Sequence, residues 1–271
     1  MKFKVNNEEI FASTGGRPFN KNKPLIIFVH GSGLTHMCWV LQTRSFAFHG
    51  YSVLALDLPG HGLSSGKSLK SIEDMADWLS DVIDAVDFKE ASLVSHSQGC
   101  LVAIECAARY PEKIKTLSLM GGAGAIPMNP ELLSLAENND PKAVDLMMDF
   151  AHGPSGHFGG HPVPGLYHMN TGSMLVQSKE IKDTLGVDFR ACQNYTNGFK
   201  AAQKLSLPTL SILADQDRMC RLKDGQKLAD HIKNSEVHII KNCGHMMLLE
   251  EADQTLAILK NFIKTNYPAN Y

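Results

Sequence analysis

The sequence predicts an α/β fold in which a mostly parallel sheet is covered by helices on both faces. Short, almost wholly apolar segments recur along the chain, as expected for strands that are buried on both faces. Helical segments lie between them, and this alternation is typical of a parallel sheet. The chain has 271 residues, 44% of them hydrophobic, which is enough for one globular unit with a sizeable core and an inserted subdomain.

The predicted strands begin with a hairpin near the N-terminus. Phe3 and Val5 precede a turn at Asn6-Asn7, and Ile10 and Ala12 follow it. Later apolar segments predict six buried strands. These are residues 24–30, 51–57, 91–96, 114–120, 207–214 and 236–241.

Three helices of the core are predicted from spacing and composition. Residues 71–86 carry apolar side chains on one helical face and mainly acidic ones on the other. Residues 98–110 are more uniformly apolar, which indicates a more buried helix, and Pro111 helps to end it. Residues 247–264 predict a terminal helix.

Residues 125–204 interrupt the alternation of strands and helices. No convincing buried strand occurs there; 130–137 and 141–150 look helical, and 152–168 form a loop rich in Gly, Pro and His. We therefore divide the chain into a core domain, residues 1–124 and 205–271, and a helical cap inserted at residues 125–204.

Composition excludes several classes of protein. With 26 basic and 28 acidic residues, the net charge of −2 argues against a nucleic-acid-binding surface. The polar N-terminus lacks the apolar stretch of a signal peptide, and every apolar run is too short to span a membrane. Six Cys without an export signal indicate free thiols, and we expect a cytoplasmic protein.

The segment Ser95-His96-Ser97-Gln98-Gly99 is the strongest catalytic signal. It joins a predicted buried strand to a predicted buried helix, and a serine at so tight a corner is presented at the carboxyl edge of the sheet. Small residues are needed two positions before and after that serine, where Ser95 and Gly99 stand. Ser97 is therefore the candidate nucleophile, with a plain structural turn as the alternative.

A serine hydroxyl needs a base, and the base needs a carboxylate that orients it. His245 follows the last predicted strand, at the same edge of the sheet as Ser97. The loop after residues 207–214 offers two carboxylates, of which we favour Asp217 over Asp215. The order Ser97, Asp217, His245 is one of the known orders of a catalytic triad.

The oxyanion that develops during attack needs preorganised N–H donors. The Gln98 amide lies at a predicted helix N-terminus, where amides are unpaired. A second donor is expected from the loop His30-Gly31-Ser32-Gly33, where we favour the Ser32 amide and keep the Gly33 amide as the alternative. We interpret His30 as a residue that holds this loop.

Taken together, these motifs resemble those of the α/β-hydrolase superfamily. The same order is found there for His30-Gly31-Ser32-Gly33, for the segment 57–64 (DLPGHGLS), for Ser95-His96-Ser97-Gln98-Gly99, for the Asp217 loop and for Gly244-His245. The resemblance covers most of the chain outside the cap. It implies an eight-stranded, mostly parallel sheet with the cap inserted after strand six, and it gives 57–64 a structural role.

The expected activity is that of a serine esterase acting on a small ester, thioester or lactone through an acyl-enzyme. No cofactor and no metal are expected, and the partner is a small molecule with an apolar portion, without nucleic acid or membrane. A carbon–carbon bond hydrolase of the same fold is the alternative, as is a ligand receptor or regulator that retains the triad.

The cap carries two further features. His152, His157, His161 and His168 match no metal-binding spacing, so a mobile lid or a pocket wall is expected. Apolar residues of the cap are expected to form its core and in part to line the pocket. These are Met147, Met148, Phe150, Phe158, Tyr167, Met169 and Met174.

Overall fold

The computed structural model describes residues 1–157, 160–180 and 183–269, and the side chains of all of these except 178–180. Eight strands are formed. They are β1 (Lys2–Val5), β2 (Glu8–Ser13), β3 (Leu25–Val29), β4 (Ser52–Leu56), β5 (Ala91–His96), β6 (Ile114–Met120), β7 (Thr209–Ala214) and β8 (Ser235–Ile240).

All eight strands belong to one sheet with the order β1-β2-β4-β3-β5-β6-β7-β8. The pairs β1–β2 and β2–β4 are antiparallel, and the remaining pairs are parallel. The predicted hairpin is confirmed, since Asn6 and Asn7 take φ values of 50° and 68° between β1 and β2. Two consecutive positive φ values are typical of a tight hairpin turn.

Helices connect the strands. They are α1 (Val40–Phe48), α2 (Ile72–Ala85), α3 (Gln98–Arg109), α4 (Pro130–Glu137), α5 (Lys142–Ala151), α6 (Pro164–Glu180), α7 (Thr184–Asn194), α8 (Gly198–Gln203), α9 (Leu222–Asp230), α10 (Met247–Glu250) and α11 (Ala252–Asn266). The helix predicted at 71–86 is confirmed as α2, and the Ser71 hydroxyl caps it by accepting from the Asp74 amide at 3.0 Å.

The core lies on both faces of the sheet. Along β3, Ile27 and Val29 pack with side chains from α2 and α3, whereas Ile26 and Phe28 pack with those from α1 and α11. Successive residues of a strand point to opposite faces, so a strand covered on both sides must be apolar throughout. This confirms the α/β fold expected from the apolar segments.

Some boundaries differ from the prediction. The terminal helix is broken at Glu251, whose φ of −128° and ψ of 50° are not helical, and it becomes α10 and α11. The predicted loop at 152–168 ends earlier, because α6 already begins at Pro164, a residue suited to the first turn of a helix. Helices α1 and α9 were not predicted.

Helix α1 was not predicted because some of its buried residues are polar and some of its exposed residues are apolar. Gln42 and Thr43 are buried on it, whereas Val40 and Phe48 are exposed. The buried amide of Gln42 is satisfied by donating to the Leu248 carbonyl at 2.7 Å. Because Phe46 and Ala47 are buried on the same helix, its buried residues are partly polar and partly apolar and give no amphipathic signal.

The described residues between β6 and β7 form the five helices α4 to α8 and no strand. This agrees with the interpretation of 125–204 as a helical cap, although the division into domains itself stays an interpretation. Within the described ranges, no helix is both long and apolar enough to cross a membrane. All six cysteines are buried free thiols.

Candidate active site

Ser97 lies at the corner between β5 and α3. Its φ of 56° and ψ of −123° are unusual for a residue with a side chain. The corner is held by the surrounding strands, since the Ser97 amide donates to the Met120 carbonyl at 3.0 Å. This strained turn between a strand and a helix is the geometry expected of a nucleophile at the edge of the sheet.

Glycines allow neighbouring segments to approach this corner closely. A Cβ atom on Gly99 would lie 2.6 Å from the Val29 carbonyl oxygen, and one on Gly31 would lie 2.9 Å from Ser97 Cβ. Ser95 is tolerated because its hydroxyl donates to the Ser118 carbonyl at 3.0 Å. The requirement for small residues on both sides of Ser97 thus has a direct steric cause.

His245 and Asp217 form a buried pair. His245 Nδ1 lies 2.7 Å from Asp217 Oδ2. The second oxygen, Asp217 Oδ1, accepts from the amides of Met219 and Cys220, both at 2.8 Å. Because an ionised carboxylate only accepts hydrogen bonds, His245 Nδ1 carries the proton and donates a hydrogen bond to Asp217. His245 Nε2 is therefore unprotonated and has a free lone pair.

His245 Nε2 is buried and has no hydrogen-bond partner among the described residues. Among the described residues, no hydrogen bond joins His245 Nε2 to Ser97 Oγ. Catalytic hydrogen bonds are often long without substrate and shorten when it binds. His245 Nε2 can therefore accept a proton from the hydroxyl group of a nucleophile.

Asp215 occupies a different position from Asp217. Its side chain is partly exposed, and its Oδ2 lies 3.8 Å from Lys241 Nζ at the surface. The geometry therefore favours Asp217 over Asp215 as the residue that orients His245.

His96 holds the loop that carries His245, a role that the sequence analysis missed. His96 Nε2 donates to the His245 carbonyl at 2.9 Å, and the two rings are 4.6 Å apart between centroids. Burial and the nearby His245 lower the pKa of His96 well below its usual range, so it is a neutral donor.

The two candidate oxyanion donors have free amides. Among the described hydrogen bonds, none uses the N–H of Ser32 or of Gln98. The alternative donor, the Gly33 amide, is already engaged, because it donates to Asp188 Oδ2 at 2.8 Å. This geometry favours Ser32 over Gly33.

Asp188 of α7 joins the cap to the loop His30-Gly31-Ser32-Gly33, which we call the oxyanion loop after the role that we expect of it. The sequence analysis also missed this residue. Besides the Gly33 amide, its Oδ2 is 2.9 Å from His61 Nε2, and its backbone carbonyl accepts from the Gln98 side chain at 3.1 Å. Gln177 of α6 adds a bond to the Gly33 carbonyl at 3.0 Å. Two cap side chains thus fix both the N–H and the C=O of Gly33.

The sequence did contain a signal for Asp188. Leu185, Asp188, Phe189 and Cys192 have the spacing of one helix face, and all four are buried. A carboxylate on a buried stripe needs a partner, and here it is His61. Burial lowers the pKa of His61, but the charge and the hydrogen bond of Asp188, together with the Pro59 carbonyl and the Asp57 charge, raise it overall.

The segment 57–64 is structural, as the resemblance implied. Burial alone would raise the pKa of Asp57, but hydrogen bonds from His36 and the Leu63 amide lower it overall. His30 also holds its loop: its Nδ1 donates to the Gly31 carbonyl at 2.8 Å, and its Nε2 accepts from the Leu58 amide at 3.2 Å.

The apolar cap residues do not share one environment. Met147, Met148 and Met174 are buried, whereas Phe150 and Met169 are exposed. A Cβ atom on Gly33 would lie 3.2 Å from the terminal methyl of Met174, so this methionine reaches the oxyanion loop. Phe158 lies outside the described residues. In the part of the chain that is described, no three His, Cys, Asp or Glu side chains are grouped to hold a metal.

A strained serine corner, a buried His–Asp pair and two backbone amides without a described partner are the features that we expect of a hydrolase with a serine nucleophile. Comparison with known proteins agrees: residues 26–258 match the model of the alpha/beta hydrolase family, and the chain belongs to this family. The family membership, the eight-stranded sheet and hydrolase-named relatives make this protein a hydrolase.

The curated relatives include carbon–carbon bond hydrolases. The chain is 26% identical to a 2-hydroxy-6-oxononadienedioate/2-hydroxy-6-oxononatrienedioate hydrolase of Pseudomonas sp, over 96% of this chain and 94% of that protein. It is 25% identical to the protein of the same name from Escherichia coli K12, over 88% of this chain and 86% of that protein.

Solved structures add esterases and a lactonase. A thermophilic esterase matches with a TM-score of 0.81 and 26% identity, over 98% of each chain. The enol-lactonase from Burkholderia xenovorans LB400 matches with a TM-score of 0.86 and 20% identity, over 97% of this chain and 99% of that chain. The second likeness concerns the fold alone.

Proposed function

We propose that this protein cleaves a small carboxylic ester, thioester or lactone through an acyl-enzyme formed on Ser97. The observation that carries the proposal is the buried His245–Asp217 pair, 2.7 Å between nitrogen and oxygen, at the same sheet edge as the strained Ser97. The carboxylate fixes the tautomer in which His245 Nε2 accepts a proton.

In this mechanism Ser97 Oγ attacks the substrate carbonyl while His245 Nε2 takes the hydroxyl proton. The Ser32 and Gln98 amides stabilise the tetrahedral oxyanion. His245 then gives its proton to the leaving alcohol or thiol, and the acyl group remains on Ser97. A water molecule, deprotonated by His245, attacks the acyl-enzyme; the acid leaves and Ser97 regains its proton.

A carbon–carbon bond hydrolase is the second candidate, because the curated relatives described above carry such names. Those names specify dioates, which bring two carboxylates into the site. Among the described residues, no Lys or Arg is buried. Burying an anion without a paired cation is costly, so this observation favours a neutral ester or lactone.

The test is reaction with a fluorophosphonate, followed by peptide mapping, alongside turnover of p-nitrophenyl butyrate. We expect the label on Ser97, and Ser97→Ala should lose at least about 10³-fold in kcat/KM, because the nucleophile is removed. Ser95→Ala is the matched control, a neighbouring serine whose loss leaves the nucleophile in place. A label on another residue would exclude this mechanism.

Parallel assays separate the two candidates. A 2-hydroxy-6-oxo dienoate is cleaved with loss of its dienol absorbance, so its kcat/KM is measured directly against that of the butyrate ester. A higher value for the ester supports the proposal, and a value at least 100-fold higher for the dienoate replaces it with the second candidate.

A further inference from the structure

The cap lies directly on the loop that carries His245. The Met246 amide donates to the Ala151 carbonyl at 3.0 Å. The Gly153 and Gly244 amides both donate to Glu250 Oε2, at 3.0 and 3.2 Å. His152, which stands between Ala151 and Gly153, is therefore fixed beside the catalytic histidine loop.

His152 packs in a group of three rings from the cap. Its centroid is 5.2 Å from that of His161 and 4.7 Å from that of Tyr167, and the last two are 5.6 Å apart. The side chains of His152 and His161 are almost wholly buried, with residue exposures of 0% and 6%. Burial lowers the pKa of both, that of His152 to about 4, so both are neutral at pH 7.

Hydrogen bonds to the backbone give the two rings opposite tautomers. His152 Nδ1 is 3.0 Å from the Met148 carbonyl, which only accepts, so the proton is on Nδ1 and Nε2 is an acceptor. His161 Nδ1 accepts from the Val163 amide at 3.0 Å, so the proton is on Nε2, which is a donor.

Both Nε2 atoms are buried and have no partner among the described residues. Buried polar atoms are almost always hydrogen-bonded, so this donor and this acceptor, on rings whose centroids are 5.2 Å apart, require partners. A carboxylate or a ketone only accepts and would leave His152 unsatisfied. A hydroxyl group accepts one hydrogen bond and donates another, and it satisfies both rings.

We propose that His152 Nε2 and His161 Nε2 bind a hydroxyl group of the substrate, which is therefore a hydroxylated ester or lactone. The hydroxyl accepts from His161 and donates to His152. This inference rests on the proposed function, because the ligand is the substrate of the Ser97 site. It changes the expected pocket from an apolar one to one with a specific polar wall.

Pairs of esters with and without a hydroxyl test the inference. On the acyl side, methyl hexanoate is compared with its 3-, 5- and 6-hydroxy derivatives, and on the alcohol side propyl butanoate with 3-hydroxypropyl butanoate. A site that hydrogen-bonds a hydroxyl discriminates against the analogue that lacks it. We expect at least one hydroxylated ester to exceed its partner by about 10-fold or more in kcat/KM.

The variants His152→Phe and His161→Phe keep a ring and remove its nitrogen atoms. We expect the hydroxyl preference, which is kcat/KM for a hydroxylated ester divided by kcat/KM for its deoxy partner, to fall to about 1 in each variant. His157→Phe is the matched control, because this ring lies in the same segment and is partly exposed. The inference is overturned if the wild-type protein shows a kcat/KM ratio near 1 for every pair of esters. It is also overturned if the preference for the hydroxylated ester persists in both variants.

A measurement without turnover separates this inference from the proposed function. In Ser97→Ala protein, long-range ¹H–¹⁵N spectra of the imidazoles report each tautomer directly. We expect His152 protonated on Nδ1 and His161 on Nε2, and both Nε2 signals should shift with the preferred hydroxylated ester and not with its deoxy partner. Where esterase activity is absent as well, the six hydroxylated and deoxy esters above serve as the probes.

Equal tautomers in the two rings, or no shift with any hydroxylated ester, overturn the inference even if Ser97 reacts with the fluorophosphonate. Conversely, failure of Ser97 to react refutes the proposed function while the spectra still decide whether the two rings form a hydroxyl site.

Discussion

At the scale of single residues, two carboxylates separated by one residue have different surroundings. Asp217 is fully engaged with His245 and two backbone amides, whereas Asp215 faces Lys241 at the surface. This contrast makes Asp217→Asn and Asp215→Asn a matched pair of variants.

We expect Asp217→Asn to lower kcat/KM by about 10³-fold or more, because an amide no longer holds His245 in the required tautomer. Asp215→Asn should change it by less than about 10-fold, since this side chain does not contact His245. Steady-state hydrolysis of p-nitrophenyl butyrate gives both values. A larger loss from Asp215→Asn would transfer the orienting role to that residue.

Asp188 acts on the oxyanion loop from the cap. We expect Asp188→Ala to lower kcat by about 10- to 100-fold with a smaller effect on KM, because the Gly33 amide is released and the neighbouring Ser32 donor loses its position. Asp188→Asn retains an oxygen that accepts from Gly33 and should recover part of kcat.

Circular dichroism and the urea midpoint show whether both Asp188 variants remain folded. Equal losses in the two variants, or a rise in KM alone, would mean that Asp188 does not position the oxyanion donors.

At the scale of elements, the packing of α3 against β3 depends on Gly99. The missing Cβ would lie 2.6 and 2.7 Å from the carbonyl oxygens of Val29 and His30. Val29 is the last residue of the central strand β3 and His30 follows it directly, so these backbone atoms cannot move away without disturbing the sheet.

We expect Gly99→Ala to lower the free energy of unfolding by about 2 kcal/mol or more and to reduce activity, because α3 must shift away from β3. Ser95→Ala is the control, since it introduces no new atom and removes only the hydrogen bonds of one hydroxyl, to the Ser118 carbonyl and to Cys100 Sγ, worth about 1 kcal/mol each. Urea denaturation and ester hydrolysis measure the two effects. Equal stability in these variants would show that the corner tolerates a Cβ at residue 99.

At the scale of the whole molecule, buried neutral histidines make stability depend on pH. Burial lowers the pKa of His30 and of His152 to about 4, and lowers that of His96 as well. The unfolded chain binds protons at these residues near pH 6.5 and the folded protein does not, so stability falls as the pH falls below that value. His61 and Glu250, whose pKa values are raised, oppose this trend.

We expect the urea midpoint to decrease as the pH is lowered from 7.5 to 5. His30 and His152 should each account for a loss of about 2 kcal/mol in the free energy of unfolding at pH 5. His152→Phe should weaken this dependence by its own share, whereas His157→Phe, which replaces a partly exposed ring, should change it less. A midpoint that rises on acidification would contradict the neutral state of these rings.

Much of the fold follows from local patterns in the sequence. The β-strands and the helix α2 were predicted because apolar runs and amphipathic spacing are properties of neighbouring residues. Helix α1 was missed because Gln42 and Thr43 are among its buried residues, and the Gln42 amide is satisfied by the carbonyl of the distant Leu248. The last helix was predicted as continuous because nothing local marks the break at Glu251.

By itself the sequence determined the type of fold and the corner that holds Ser97, since both are written in consecutive residues. Only the tertiary structure decided that Asp217 contacts His245, that Asp188 binds the Gly33 amide, and that Nδ1 of His152 meets a backbone carbonyl whereas Nδ1 of His161 meets a backbone amide. Each of these depends on hydrogen bonds whose partners are set by the three-dimensional paths of loops and of the cap, and not by the spacing of residue types along the chain.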